Sequence, residues 1–146
     1  MFKRILLATD GSAASEHAAG LAVSLARQHG ATLTVLYVVD PYPFLGVGEV
    51  NPLGFDAYMA AAREQAARAH AQVASRAGEG GAPVAVESRL VEDVAVLEGI
   101  LKTVQQEGHD LVVIGSHGRT GLSRLMLGSV AAKVVAHSPV PVLVAR

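Results

Sequence analysis

Along this chain, short runs in which every residue is apolar alternate with longer stretches whose apolar residues recur every three or four positions. Ile5, Leu6, Leu7 and Ala8 form such a run, stopped by Asp10 and Gly11. An unbroken apolar segment of that length reads as a strand buried on both faces of a parallel sheet, and it predicts a first strand over residues 3–9. After Ser12, a candidate N-cap, Ala14, Ala18, Leu21, Ala22 and Leu25 fall on one helical face, and Gly30 follows as a candidate C-cap. The β-branched run Thr32–Val39, the weaker alternation Val84–Leu90, the segment Asp110–Ile114 and the closing Val140–Ala145 predict four more strands. Between them lie an alanine-rich helix over Asp56–Arg76, one over Asp93–Gln106 that turns Leu97, Ile100, Leu101 and Val104 inward, and one over Ser129–His137.

Strands and helices that alternate in this way predict an α/β fold, a parallel sheet of five strands with helices on both faces. In such sheets ligands sit beyond the carboxyl ends of the strands, near the point where strand order reverses. The stretch Asp40–Phe55, with Pro41, Pro43, Gly46, Gly48, Pro52 and Gly54, is long for a connection inside a domain and reads as a lid or an insertion. Gly78, Glu79, Gly80 and Gly81 read as a plain turn.

Composition narrows the function classes. A chain of 146 residues, 51% hydrophobic and 17% charged, suits one packed domain over residues 1–146. Only three Phe and three Tyr, with no Trp, and a net charge of -1 speak against a nucleic-acid partner held by stacking or by a global positive field. The absence of cysteine removes a disulfide framework, a thiol nucleophile and thiolate-held zinc. The run Ile5–Ala8 is too short for a signal-peptide core or a membrane span, so a cytoplasmic protein with no membrane partner is expected. His17, His29, His70, His109 and His137 are scattered without metal-ligand spacing, so no metal held by protein side chains alone is expected.

The densest chemistry follows the fourth strand: Gly115, Ser116, His117, Gly118, Arg119, Thr120 and Gly121, then Gly128 and Ser129 opening the last helix. Glycines let main-chain N–H groups approach an anion closely, and a helix N-terminus adds unpaired donors and a positive dipole end. All thirteen acidic residues precede Leu111, whereas Arg119, Arg124, Lys133 and Arg146 follow it, so cations gather where the glycine loop lies. Phosphate is the natural guest. The alternative is that the glycines only make a tight strand-to-helix connection. Asp10 ends the first strand in the same crevice, where a carboxylate can accept hydrogen bonds from ribose hydroxyls, hold a metal bound to phosphates, or cap the turn at Gly11 and Ser12.

Thr9-Asp10-Gly11-Ser12 at the end of the first strand, Tyr37-Val38-Val39-Asp40 at the end of the second, and the spacing of Gly115, Gly118, Gly128 and Ser129 resemble the universal stress protein family, in its ATP-binding subclass. The likeness covers the whole chain, including the closing Ser138-Pro139-Val140-Pro141-Val142-Leu143-Val144. It implies a Rossmann-like sheet in the order 3-2-1-4-5, similar to the adenine nucleotide alpha hydrolases, and an adenine nucleotide, ATP with Mg2+, bound across the strand ends. By the same resemblance Asp10 meets the nucleoside, Ala8 and Thr9 line its pocket, and Val38 meets the adenine edge. Gly115, Ser116, His117, Gly118 and Arg119 form the phosphate-side loop, and Gly128, Ser129 and Val130 offer donors to the phosphates. Where the family often has a proline before the Thr-Asp pair, this chain has Ala8.

Val140, Val142, Leu143 and Val144 make the last strand apolar, while Pro139 and Pro141 suit an edge position. An exposed apolar edge aggregates, pairs with a partner or lies under a helix; with the resemblance, this favours a homodimer joined through that strand. The leading reading is a nucleotide-binding regulatory protein of the stress response with at most slow hydrolysis and a further protein partner. The alternatives are an ATP-hydrolysing or adenylyl-transferring enzyme, in which Arg119 and Ser129 stabilise the transition state and His117 assists, and a dimeric interaction module that binds no nucleotide.

Overall fold

The computed structural model of the protein is described over residues 1–42, 52–118 and 126–146, without the side chain of Pro52. Nine elements follow one another: β1 Arg4–Ala8, α1 Ala13–His29, β2 Thr32–Val39, α2 Pro52–Gly78, β3 Val86–Glu92, α3 Val96–Glu107, β4 Leu111–Gly115, α4 Ser129–His137 and β5 Val142–Ala145. All strand pairs are parallel, and the sheet order is β3-β2-β1-β4-β5.

Side chains alternate across each strand, so one sheet feeds two cores. Ile5 and Leu7 of β1 pack with Ala18, Ala22 and Val23 of α1 and Val73 and Ala77 of α2. Leu6 and Ala8 point the other way, to Ile100 and Val104 of α3 and Ala131 and Val134 of α4. Helices therefore cover both faces. The alanines that dominate α1 and α2 let these helices lie close to each other and to the sheet. Leu6, Leu7 and Ile5 are fully buried between the two cores, as the continuous apolar run requires.

Several boundaries differ from the expectation, each for a physical reason. α1 begins after Ser12, whose backbone is extended as an N-cap should be, but its hydroxyl donates to Asp10 Oδ1 at 2.6 Å instead of capping the helix. α2 starts at Pro52, where a fixed φ and a missing N–H suit a first turn; residues 52–55 are thus helical and not part of the irregular stretch. β3 runs two residues later than the alternation predicted, because it stays paired with β2 from Leu33↔Val86 to Val39↔Glu92. Asp93 adopts φ 59 in the turn that follows, so α3 starts at Val96 and not at Asp93. β5 starts at Val142, after Pro141 has given its carbonyl to Val112 N at 3.0 Å. Gly30 ends α1 with φ 62, as expected of a left-handed C-cap.

Candidate functional site

Reversal of strand order between β1 and β4 opens a crevice at the carboxyl end of the sheet. Here a cleft of about 580 Å³ is lined by Ala8, Thr9, Asp10, Val38, Gly115, Ser116, His117, Gly118, Gly128, Ser129 and Val130. Eleven of the twelve positions singled out in the sequence therefore line one cleft. Arg119 lies outside the described residues, as do Pro43, Gly46 and Gly48 of the proposed lid.

The first wall is the turn after β1. Thr9 N donates to Leu36 O at 3.0 Å, the last rung between β1 and β2. Asp10 Oδ1 then accepts from Ser12 N at 2.9 Å and from Ser12 Oγ at 2.6 Å. Gly11 turns the chain with φ 74, which favours glycine, and its N–H donates to Thr9 Oγ1 at 3.1 Å. Asp10 so fulfils the turn-capping role and also lines the cleft, with Oδ2 3.0 Å from the point where a Cβ on Gly118 would stand.

β2 runs on to Val39 although β1 ends opposite Leu36. Because Leu36 gives its carbonyl to β1, Val38, two residues later, turns its main-chain groups to the same side, beyond the end of β1. Its side chain belongs with Val96, Ile100, Ile114, Val130 and Ala131 to one apolar cluster, and all six line the cleft. The result is an apolar slot with a strand edge along one side, suited to a flat heteroaromatic ring.

The opposite end is the junction of β4 and α4. Ser116 N donates to Ala145 O at 2.7 Å, and Gly128 N donates to Ser116 O at 2.7 Å. A Cβ on Gly128 would lie 2.9 Å from Ser116 O, so only glycine allows this approach. Gly128 occupies the N-cap of α4, with no side-chain cap bond. The first turn of α4 thus opens on the cleft with main-chain donors that no cap side chain satisfies. His117 is half-buried beside it, its Nδ1 2.8 Å from Ser116 Oγ. Among the described residues no three His, Cys, Asp or Glu side chains gather as a metal site, and no helix is long and apolar enough to cross a membrane.

The far wall, which the sequence reading missed, comes from α2. Tyr58, Ala61, Ala62 and Gln65 line the cleft together with Tyr37. Tyr58 donates to Asp40 O at 3.0 Å and stands edge-to-face with Tyr42 at 5.3 Å, and Tyr37 donates to Gln65 Oε1 at 3.3 Å. Arg63 clasps Glu92 at 2.7 and 3.0 Å, fixing α2 to the end of β3 and holding the Glu92 carboxyl below its usual range. Length is the signal that could have revealed this wall. A helix of 27 residues spans roughly 40 Å, well beyond strands of five to eight residues, so one end must overhang the sheet.

Over residues 1–146 the chain matches the model of the universal stress protein family. A universal stress protein of Thermus aquaticus is 37% identical over 147 residues, which cover 100% of this chain and 100% of that one. The solved structure of the universal stress protein UspA from Lactobacillus plantarum matches with a TM-score of 0.77 and 28% identity, over 99% of this chain and 97% of that one. The universal stress protein from Archaeoglobus fulgidus in complex with dAMP has the same fold, with a TM-score of 0.70 and 20% identity over 99% and 98% of the two chains.

Proposed function

Since the chain belongs to the universal stress protein family, we propose that it is a stress-response regulator that binds an adenine nucleotide, ATP with Mg2+, and works as a cytoplasmic homodimer. One observation carries the nucleotide reading: an apolar slot along a strand edge and an uncapped helix N-terminus face the same cleft. Adenine lies in the slot, with its polar edge on the main chain of Val38. The ribose meets Asp10 next to Ala8 and Thr9. The phosphates take the donors of Gly115, Ser116, His117, Gly118 and Arg119 and of Gly128, Ser129 and Val130. The complex of the Archaeoglobus fulgidus protein of the same fold with dAMP supports the adenylate class.

Mg2+ prefers oxygen ligands and keeps several waters, and the cleft wall offers it the Asp10 carboxylate and the Ser129 hydroxyl beside the phosphates. When bound, it neutralises phosphate charge. Hydrolysis is slow in this reading, because Asp10 Oδ1 is taken up by Ser12 N and Ser12 Oγ, and a carboxylate that also serves ribose and metal is a poor base for water.

The dimer forms along β5. Ala145 and Pro141 give their carbonyls to β4, so the main chain of Val142 and Val144 faces the outer edge, where among the described residues no strand pairs with it. Val140 and Leu143 complete the apolar strip.

Titration calorimetry of the purified protein with Mg-ATP and Mg-GTP tests the nucleotide reading. ATP binding that is lost in Gly118→Asp is the expected outcome, since that substitution puts a side chain 3.0 Å from Asp10 Oδ2 and a negative charge among phosphate donors. Equal affinity of the variant and the parent protein would refute the loop assignment.

A further inference from the structure

A second cavity, of about 400 Å³, opens between α1 and the second half of α2. Its lining meets that of the cleft at the strand ends only in Thr9 and Ser15, whose hydroxyls stand 3.0 Å apart. The floor is small and apolar: Ala19 of α1 with Ala69 and Val73 of α2, all buried. The rim is charged, with Glu16 on α1, Arg76 on α2 and Glu79 just past the end of α2. α1 makes room for the cation at Gly20, where a Cβ would stand 3.4 Å from Arg76 Nη1. Each of the two helices joins parallel strands, so they run in the same direction. Glu16 lies one turn before Gly20 and Glu79 one turn after Arg76, which sets a carboxylate on either side of the guanidinium along the groove. These charges do not close on one another. Among the described residues Glu16 and Arg76 have neither a hydrogen-bond nor an ion-pair partner, and Glu79 Oε1 accepts from Ser75 Oγ at 2.9 Å. Elsewhere the protein does close such pairs, as in Arg63 with Glu92 at 2.7 Å and Arg89 with Glu107 at 2.8 Å. Glu79 is also held in place, because Arg27 donates to its carbonyl at 2.6 Å.

We propose that this cavity binds a diamino carboxylic acid of the size of lysine or ornithine. The ligand carboxylate pairs with Arg76, whose planar fork can take both oxygens. Its two ammonium groups meet Glu16 and Glu79, and its methylene stem covers Ala19, Ala69 and Val73. One cation against two carboxylates gives the rim a net charge of -1, the complement of a ligand with two ammonium groups and one carboxylate. Every charge brought out of water is then matched, which is the condition for burying charge at little cost. A simple anion such as phosphate would face the two carboxylates, and a plain diamine would leave Arg76 unmatched. The volume lies in the range of small-molecule sites. None of this depends on what fills the cleft at the strand ends.

The test is titration calorimetry of the full chain, stripped of nucleotide, with three probes: L-lysine, norleucine, which lacks the second ammonium, and cadaverine, which lacks the carboxylate. The expected result is saturable binding of lysine, with norleucine and cadaverine each weaker by about tenfold or more, the loss expected of one charge-assisted contact. Arg76→Gln should weaken lysine by a similar factor and leave cadaverine unchanged, whereas Glu16→Gln should weaken both. Arg76 and Glu16 are exposed, so both variants keep the fold, and a failure of one to fold would leave the other to decide. No saturable binding of lysine at millimolar concentration would overturn the proposal. So would equal affinity for lysine and either truncated probe, or lysine binding that survives both substitutions unchanged.

Discussion

Gly99 lies on α3 where an added Cβ would stand 2.9 Å from Val38 Cγ2 and 3.0 Å from Val38 Cγ1. Alanine there overpacks the contact that brings α3 to the cleft, and Gly99→Ala should cost about 1–3 kcal/mol in urea denaturation. Most of that loss should return in the double variant with Val38→Ala; no recovery would place the strain elsewhere. His109 carries a second prediction. It is 4% exposed, donates from Nδ1 to Thr103 O at 3.3 Å and accepts at Nε2 from Thr34 Oγ1 at 2.9 Å. Burial, with Arg4 and Arg89 nearby, pushes its pKa down despite the Glu107 carboxylate. The unfolded state then binds the proton more readily, so stability is full above the unfolded pKa of about 6.5 and falls as the pH drops below it. His70 is shifted the same way by burial. Thermal unfolding between pH 7.5 and 5.5 should show the decline, flattened in His109→Gln; an unchanged slope in the variant would exclude His109 as its source. Neither contact was legible in the sequence. Gly99 is one glycine inside a helical stretch and His109 one of several scattered histidines, and neither has a spacing that announces its partner. Gly115, Gly118 and Gly128 were legible because three glycines at a strand-to-helix junction, next to cations, have a chemical reason to be there.

Elements were more legible than their ends. Every predicted strand and helix exists, because runs of period one and faces of period 3.6 are long-range features of the pattern. The ends depended on single backbone events: Pro52 entering a first turn, Asp93 taking a left-handed conformation, Pro141 withholding an N–H. The turn after α2 shows how such an end is held. Arg27 of α1 donates from Nε to Ala82 O at 2.8 Å and from one terminal nitrogen to Ala77 O at 3.2 Å and Glu79 O at 2.6 Å. One guanidinium thereby ties the end of α2 and the approach to β3 onto α1. Arg27→Ala should cost about 1–3 kcal/mol and raise hydrogen exchange selectively over residues 77–82. Uniform exchange over the whole chain would show that the clamp is not local.

For the whole molecule, alternation alone implied a parallel sheet covered on both faces, and the observed order β3-β2-β1-β4-β5 agrees with the resemblance, since periodicity carries no information on which strands are neighbours. That order sets two of the places proposed for function. It places the reversal between β1 and β4, where the cleft lies, and it leaves β5 at the rim. Val144→Pro removes an N–H that faces outward and leaves the bonds to β4 in place. In sedimentation, the variant should run as a monomer at concentrations where the parent chain is a dimer; a dimer of unchanged strength would move the interface away from β5. The central claim is that an adenine nucleotide occupies the cleft, and thermal unfolding of nucleotide-stripped protein tests it most directly. A ligand at 100 times its Kd stabilises by about 2.7 kcal/mol, which for a chain of this size raises Tm by about 5–10 °C. The account predicts that rise with Mg-ATP, a smaller one with GTP, and none in Gly118→Asp. An unchanged Tm with every adenine nucleotide would contradict it and leave a dimeric module that uses this fold without a nucleotide.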